Sequence, residues 1–387
     1  MINSVNVDLL NTINLSDNIA YLKSLPDNSI DSIVTDSPYG LGKEPDPVKL
    51  LQDWIDHGYY EVKGKGFMGK TWDAFVPQPI LWKECFRVLK PGGHLLSFFG
   101  TRTYHWGTVA IALAGFEIRD KIDWFYLDDQ LHADFVNSLS EEQKKMFAQI
   151  LKTDSGMQSW IYGSGFPKTK TALKPANEPI CVARKPGAST LLNIDECRIK
   201  YQNETDFKLA TSERPEIYKH GEILSGSFQD RTERGNKEGR YPSNVMFDEE
   251  CAELLDVETG VLNQSLRKQG SVRKKNPEGV YNTLGAFKAI PKESYNDFGG
   301  ASRFFYIAKA SPSERKNNPH PTVKPVKLMR QLVRLYTPKD GMCLDPHGGS
   351  GSTALGCEDW CNYILIDSDP FSINIAKKRL SKEDKLF

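Results

Sequence analysis

Between Met342 and Thr353 the chain reads MCLDPHGGSGST. A short apolar run, Met342 to Leu344, ends at an acid, Asp345. Pro346, His347 and a glycine-rich turn follow, and the next stretch has the spacing of a helix. A second apolar strand is expected over Tyr363–Ile366, closed by Asp367 and Asp369. Strand, glycine-rich turn, helix and strand with an acid about twenty residues after the turn form a nucleoside-binding βαβ unit. The glycines let the backbone approach a ligand, and the acid accepts from both ribose hydroxyls. A glycine-rich turn alone says less, because tight strand-to-helix turns need glycine for backbone reasons. The run lacks the Gly-Lys-Ser/Thr of a phosphate loop, which argues against a nucleoside triphosphatase. Which adenosine ligand binds is left open by this unit.

Outward from that turn, a helix is predicted over Pro325–Tyr336, a strand over Arg303–Lys309 and a last helix over Pro370–Leu380. The N-terminal part has the same rhythm. Ile30–Thr35 (IDSIVT) is a β-branched apolar strand that ends at Asp36-Ser37-Pro38-Tyr39-Gly40. Ile80–Leu89 has helical spacing, with Ile80, Leu81, Cys85, Val88 and Leu89 on one face, stopped by Lys90-Pro91-Gly92-Gly93. His94–Phe99 reads as a strand, Tyr104–Ala114 as a helix and Phe116–Tyr126 as a strand. This alternation predicts an α/β fold with a mainly parallel sheet covered by helices. Residues 127–158 read as an insertion, with a capping-box pattern at Ser140-Glu141-Glu142-Gln143. Residues 186–300 lose the rhythm in long Gly-, Asn-, Ser- and Lys-rich stretches, of a kind usually functional or disordered. The expected division is therefore 1–185, 186–300 and 301–387.

Asp36-Ser37-Pro38-Tyr39 sits where parallel sheets place ligands, at the carboxyl end of a strand. Taken alone the tetrapeptide also suits a turn. Its residue types match one chemistry well. An amine conjugated to a purine or pyrimidine ring is a poor nucleophile. A carboxylate and a rigid backbone carbonyl that both accept from its NH2 localise the lone pair. Pro38 fixes the carbonyl's direction. Tyr39 offers a flat face to an extruded base, worth roughly 1–3 kcal/mol of stacking against the few kcal/mol that flipping costs.

Composition sets the bounds. The chain has 387 residues, with Lys plus Arg and Asp plus Glu balanced at 50 each. Net neutrality does not advertise a nucleic-acid binder. Charge is uneven, however: from Val261 to Lys292 the basic residues are Arg267, Lys268, Arg273, Lys274, Lys275, Lys288 and Lys292, against the single acid Glu278. Such a patch binds phosphates even in a neutral chain, although a solvated loop is the plain alternative. No apolar run is long enough for a membrane span, and Met1–Leu10 lacks the basic start of a secretory signal. The seven cysteines form no disulfide or zinc pattern, which points to reduced thiols and a cytoplasmic setting without a metal.

Further runs add to these two: Ser16-Asp17-Asn18; Gly66-Phe67-Met68-Gly69-Lys70-Thr71-Trp72-Asp73; Leu89-Lys90-Pro91-Gly92-Gly93; Gly163-Ser164-Gly165-Phe166-Pro167-Lys168; Asn177-Glu178-Pro179; and His320-Pro321-Thr322-Val323-Lys324-Pro325. With these motifs, in this order, the chain resembles the β-class amino-methyltransferases of DNA, of the kind common in phages and prophages. The resemblance spans nearly the whole chain. It implies a Rossmann-like class I methyltransferase fold, circularly permuted, with the catalytic motif first, an inserted target-recognition region next and the cofactor motifs last. It implies S-adenosylmethionine as cofactor, duplex DNA as partner, and a homodimer as a common state.

The resemblance also assigns roles. Asp36 binds the target amine and helps orient the cofactor, with the Ser37 carbonyl and Pro38 beside it, and Tyr39 stacks on the base. Asp345, Pro346, His347, Gly349 and Gly351 lie along the cofactor's methionine part, and Asp367 holds the ribose. Thr322 and Lys324 meet the cofactor carboxylate or its surroundings, and Asp17 accepts from the adenine. Arg267, Lys268, Arg273, Lys274 and Lys275 read guanine or phosphate. For Asp369, capping of the last helix is the expected role.

Two positions depart from the family pattern. His347 stands where the family has Phe, and Ser37 where Pro is usual, which gives up rigidity but keeps the carbonyl. Adenine N6 is the expected target because the catalytic motif opens with Asp. Cytosine N4 and a catalytically weakened DNA-binding protein are the alternatives.

Overall fold

The computed structural model describes residues 9–66, 69, 72–119, 156–161, 177–188, 191–204, 206–207, 236–259, 300–308, 318–320 and 323–381. The chain forms two compact units. The larger comprises Met1–Cys197, Pro242–Cys251 and Tyr306–Phe387; the smaller comprises Arg198–Tyr241 and Ala252–Phe305.

The larger unit is built on one sheet. Its strands are β1 (Thr12–Leu15), β2 (Ile30–Asp36), β3 (Leu89–Phe98), β4 (Glu117–Ile118), β5 (Gly156–Ile161), β6 (Asn177–Arg184), β7 (Val245–Asp248), β8 (Tyr306–Ala308), β9 (Met342–Asp345) and β10 (Asn362–Asp367). The order is β1-β10-β9-β2-β3-β6-β5-β7-β8, with β4 paired to β6. From β1 to β3 every pairing is parallel. β6 runs antiparallel to β3 and β5, and β7 and β8 continue parallel to β5. The sheet is thus Rossmann-like and mainly parallel, as the α/β alternation predicts. The nucleoside-binding βαβ unit comes last in the chain but sits inside the sheet, because β9 pairs with β2 through Ser32–Cys343 and Ile33–Leu344.

A parallel strand must be apolar on both faces, because helices cover both. Neighbouring residues of β2 and β3 accordingly enter different cores. Ile33 and Leu95 face the side of α1 (Asn18–Ser24), α2 (Pro47–His57), α3 (Pro79–Val88) and α4 (Tyr104–Leu113). Trp54, Trp82 and Phe99 fill that side, with Trp54 edge-on to Trp106 at 6.1 Å. Val34 and Leu96 face the opposite core, where Leu328, Met329 and Leu332 project from a helix over Val326–Tyr336. That helix follows α5 (Glu249–Thr259) and is α6; α7 (Ser352–Cys357) and α8 (Pro370–Leu380) come after it among the described residues.

Several expectations need correction. The strand expected from His94 begins at Leu89, because Lys90–Gly93 continues the pairing with β2 through a register shift. Of the strand expected over Phe116–Tyr126, Glu117–Ile118 is a strand, and the part from 120 on lies outside the described residues. So does 127–155 of the expected insertion, whereas its last residues, from Gly156, belong to β5. The strand expected over Arg303–Lys309 is shorter. Ala301–Phe304 is a 3-10 turn, drawn round by Asp256, which accepts from the Ser302 amide at 2.7 Å and from its hydroxyl at 2.7 Å. Tyr306–Ala308 is strand, and Lys309 lies outside the described residues. Within 186–300, residues up to Cys197 and Pro242–Cys251 belong to the larger unit.

In the smaller unit Asp206 is 2% exposed and ion-paired to Arg240 and Arg303. The Arg240 guanidinium lies 4.8 Å over each of the Tyr201 and Phe304 rings. Arg267, Lys268, Arg273, Lys274 and Lys275 lie outside the described residues. Among the described residues no helix is long and apolar enough to cross a membrane, and no cluster of metal-ligating side chains occurs.

Candidate active site

Because β2, β9 and β10 are parallel, their carboxyl ends share one edge, and each ends in an acid: Asp36, Asp345 and Asp367. Beside that edge lies a cavity of about 620 Å³, lined by Asp36–Tyr39 on one side and by Asp17, Pro346, His347, Gly349 and Asp367 on the other. This size is typical of a pocket for a small ligand. Asp345, Gly351 and Lys324 are not among its lining residues, and Thr322 lies outside the described residues.

The catalytic-motif side is rigid. Ser37 is 2% exposed, and its Oγ lies 2.6 Å from Ser97 Oγ on β3. That bond restores some of the stiffness lost with the missing proline. The Tyr39 carbonyl accepts from the Thr103 hydroxyl, and the Gly40 amide donates to Asp73 at 3.0 Å. Asp36 Oδ2 accepts from Lys324 Nζ at 2.7 Å, while Oδ1 is buried without a well-formed hydrogen bond, the Tyr39 hydroxyl lying near enough to the carboxyl to lower its pKa. The Tyr39 hydroxyl is likewise buried without one.

Lys324 lies behind the cavity wall: it is 6% exposed and bridges Asp36, which lines the cavity, and, at 3.2 Å, Glu178 of β6. A buried ammonium needs counter-charge, and two carboxylates supply it. Its Nζ also lies 5.3 Å over the Tyr39 ring and 5.2 Å over Phe98. Burial works against its charge, but the two carboxylates outweigh burial and hold its pKa above the ordinary lysine value. Burial pushes the Asp36 carboxyl up, Lys324 pulls the other way, and Glu178 adds to the rise. Burial, Asp36 and Glu178 together keep the Tyr39 phenol protonated.

On the cofactor side the turn is held from below. Asp345 is 4% exposed, and its carboxylate accepts from Thr35 Oγ1 at 2.7 Å, Thr353 Oγ1 at 2.6 Å and the His347 amide at 3.0 Å. It therefore shapes the turn from beneath instead of lining the cavity. Burial raises its pKa to about 6. Gly348 permits the turn to lie on the sheet, since a Cβ there would meet Leu365 Cγ at 2.1 Å. Gly349, at φ +49°, occupies the left-handed region that glycine tolerates. Asp367 anchors the far end: Oδ2 accepts from the Gly349 amide at 2.8 Å and Oδ1 from the Asp369 amide at 2.8 Å. Each oxygen keeps a second lone pair for a ligand. Asp17 caps α1 through Ala20, and Asp369 caps α8 through Phe371.

His347 is held in one tautomer. Thr35 gives its proton to Asp345, so toward His347 Nδ1, 3.2 Å away, it acts as acceptor and Nδ1 carries the hydrogen. Nε2 then accepts from Asn18 Nδ2 at 3.3 Å. Burial lowers the imidazole's pKa to about 3, so it is neutral. The ring meets Trp82 edge-on at 6.3 Å. Glu178, Asn18, Thr35 and Ser97 were not assigned roles from sequence. Only Glu178 and Asn18 carried a signal, as members of the quoted runs.

A family model described as DNA methylase, for the N6/N4 methyltransferases, matches residues 30–378. The type II methyltransferase M.HpaI of Haemophilus parainfluenzae is 32% identical over 374 residues, covering 95% of this chain and 73% of that protein. The type II methyltransferase M.HindIII of Haemophilus influenzae is 22% identical over 388 residues, covering 95% and 94%. Among solved structures, a complex of M1.HpyAVI with SAM aligns at a TM-score of 0.42 and 15% identity, over 95% of this chain and 99% of that one. PvuII DNA methyltransferase, titled cytosine-N4-specific, aligns at 0.44 and 13% identity, over 96% and 87%. Asp36-Ser37-Pro38-Tyr39, a glycine-rich turn and Asp367 thus meet at one cavity in a chain matched along most of its length, and the chain belongs to the N6/N4 DNA methylase family.

Proposed function

We propose that the chain methylates adenine N6 in duplex DNA, with S-adenosylmethionine as the methyl donor. One observation carries the reading: Asp36 lines the cavity at the carboxyl end of β2, with one carboxylate oxygen fixed by Lys324 and the other buried without a well-formed hydrogen bond. An oxygen placed so is set to accept from a ligand's N–H, because a buried acceptor left unmade costs about 1–3 kcal/mol. The residues fit the donor: Asp367 and Gly349 face the cavity where an adenosine ribose would lie, and Asp17 lines its rim.

When bound, the donor supplies a methyl group on a sulfonium; the C–S bond breaks with its pair on sulfur and the N–C bond forms from the amine's lone pair. The protein's part is positioning and electrostatics. Asp36 Oδ1 and the Ser37 carbonyl accept from the target NH2 and turn its lone pair toward the methyl. Tyr39 gives the flipped base a surface to stack on. The excess N–H proton leaves past Asp36 to water. The opening Asp of the motif supports adenine over cytosine. We assign target recognition to the smaller unit and to the basic residues Arg267, Lys268, Arg273, Lys274 and Lys275, whose charge suits phosphate contacts.

The test is transfer of tritiated methyl to unmethylated duplex DNA, followed by digestion to nucleosides. Label on N6-methyldeoxyadenosine supports the proposal. Label on N4-methyldeoxycytidine transfers the mechanism to the other base, and absence of label with DNA and cofactor bound leaves a binding protein. In the same assay Asp36→Ala is expected to lower turnover by about 10²–10³-fold or more, with cofactor affinity partly retained. Undiminished turnover removes Asp36 from the mechanism.

A further inference from the structure

One carboxylate, Asp36, already balances the charge of Lys324, so the second acid beside it leaves an excess. Lys324 Nζ stands 2.7 Å from Asp36 and 3.2 Å from Glu178, and the side chains are 6%, 19% and 19% exposed. A lone Asp36–Lys324 pair would be neutral. With Glu178 the cluster carries two carboxylates and one ammonium, a single excess negative charge when ionised. Asp345, on the neighbouring strand and coupled to Asp36 through space, adds the same sign, while Tyr39 stays neutral. An unbalanced buried charge is costly unless something compensates it. Lys324 and Glu178 are not among the lining residues, so the cluster meets the cavity through Asp36 and Tyr39. With the cavity empty, the raised Asp36 carboxyl relieves that charge by taking a proton; a cation in the cavity can take the proton's place.

Resting on the function proposed above, we propose that Glu178 is a positioning residue which, through Lys324, gives the Asp36 end of the cavity an excess negative charge that selects a cationic methyl donor over its neutral product. Transfer removes the ligand's positive charge, and the amine's proton departs to water. The attraction that holds the donor then lapses at the thioether, which favours release.

The test is calorimetric titration of the whole protein with two donor analogues: sinefungin, which bears an amine in place of the sulfonium, and S-adenosylhomocysteine, the neutral thioether. The wild type is expected to bind sinefungin more tightly by about tenfold or more. Glu178→Gln is expected to bring that ratio within about threefold, leaving thioether affinity and melting temperature nearly unchanged. An equal ratio in wild type and variant overturns the proposal, and so does a wild-type ratio near one, which needs no variant to fold. Asp36→Asn removes the other carboxylate and is expected to compress the ratio in the same way. Failure of the wild type to bind either analogue instead overturns the donor assignment on which the inference rests.

Discussion

His347 holds its place through chemistry that the family's phenylalanine lacks. Its Nδ1–H donates to Thr35 in either charge state, but its Nε2 can accept from Asn18 only while the ring is neutral. A folded-state pKa of about 3 against an unfolded value near 6.5 means that this contribution is intact above 6.5 and is lost as pH falls toward 3. By pH 5 the loss reaches about 2 kcal/mol. Asp345 runs the other way, its contribution present below about 4 and lost as pH rises toward 6. His347→Phe keeps the Asp345 effect and drops the imidazole's. Denaturant unfolding at pH 7 and pH 5 is therefore expected to show the wild type losing about 2 kcal/mol more than the variant. Parallel losses would mean that the ring is not held neutral. At this scale the sequence pointed to several of the side chains that line the cavity but not to what each one touches. Asp345 and Lys324 were recognisable by their motifs, yet their burial beneath the site depends on Thr35, Thr353 and Glu178, brought in from other strands and helices.

Elements with long apolar periods were the legible ones. α3, α6 and α8 begin and end within about a residue of their expected limits, since capping acids, prolines and glycines mark them. Shorter elements left little pattern to read. α1 covers Asn18–Ser24, and β7 is the four residues Val245–Asp248 inside a polar stretch, where periodicity has too few repeats to register. One lysine shows how such elements are tied. Lys185, just past β6, donates to the carbonyls of Phe86 at 2.7 Å and Leu89 at 2.7 Å and to the Asn28 side chain at 2.8 Å. It thus closes the carboxyl end of α3, where a cation also suits the helix dipole. Its ammonium lies 4.8 Å over the Phe86 ring. Lys185→Met keeps the stem and removes these donors. Its expected cost is about 1–3 kcal/mol in denaturant unfolding, with donor affinity unchanged. A variant as stable as the wild type would show that water replaces the lysine at no loss.

The two compact units invite separate perturbation. Asp206 pairs with two arginines of the smaller unit, and Arg303 is 1% exposed at its side chain. Removing a buried partner typically costs about 3–5 kcal/mol. Asp206→Ala is therefore expected to weaken DNA binding in a mobility-shift titration while cofactor affinity, measured by calorimetry, stays within about twofold of wild type. Loss of both would show that the units do not fail independently. The sheet order has one more consequence, which concerns birth rather than catalysis. Asp31 accepts from the amide of Met342, 311 residues further along. At about 5–20 residues per second a ribosome needs some 15–60 s to cover that distance. For that interval the nascent chain has the Asp36 half of the cavity but no β9 to lie beside β2. The methylase stays silent on the ribosome until the second half emerges, and the bare β2 edge is where a chaperone has most to protect.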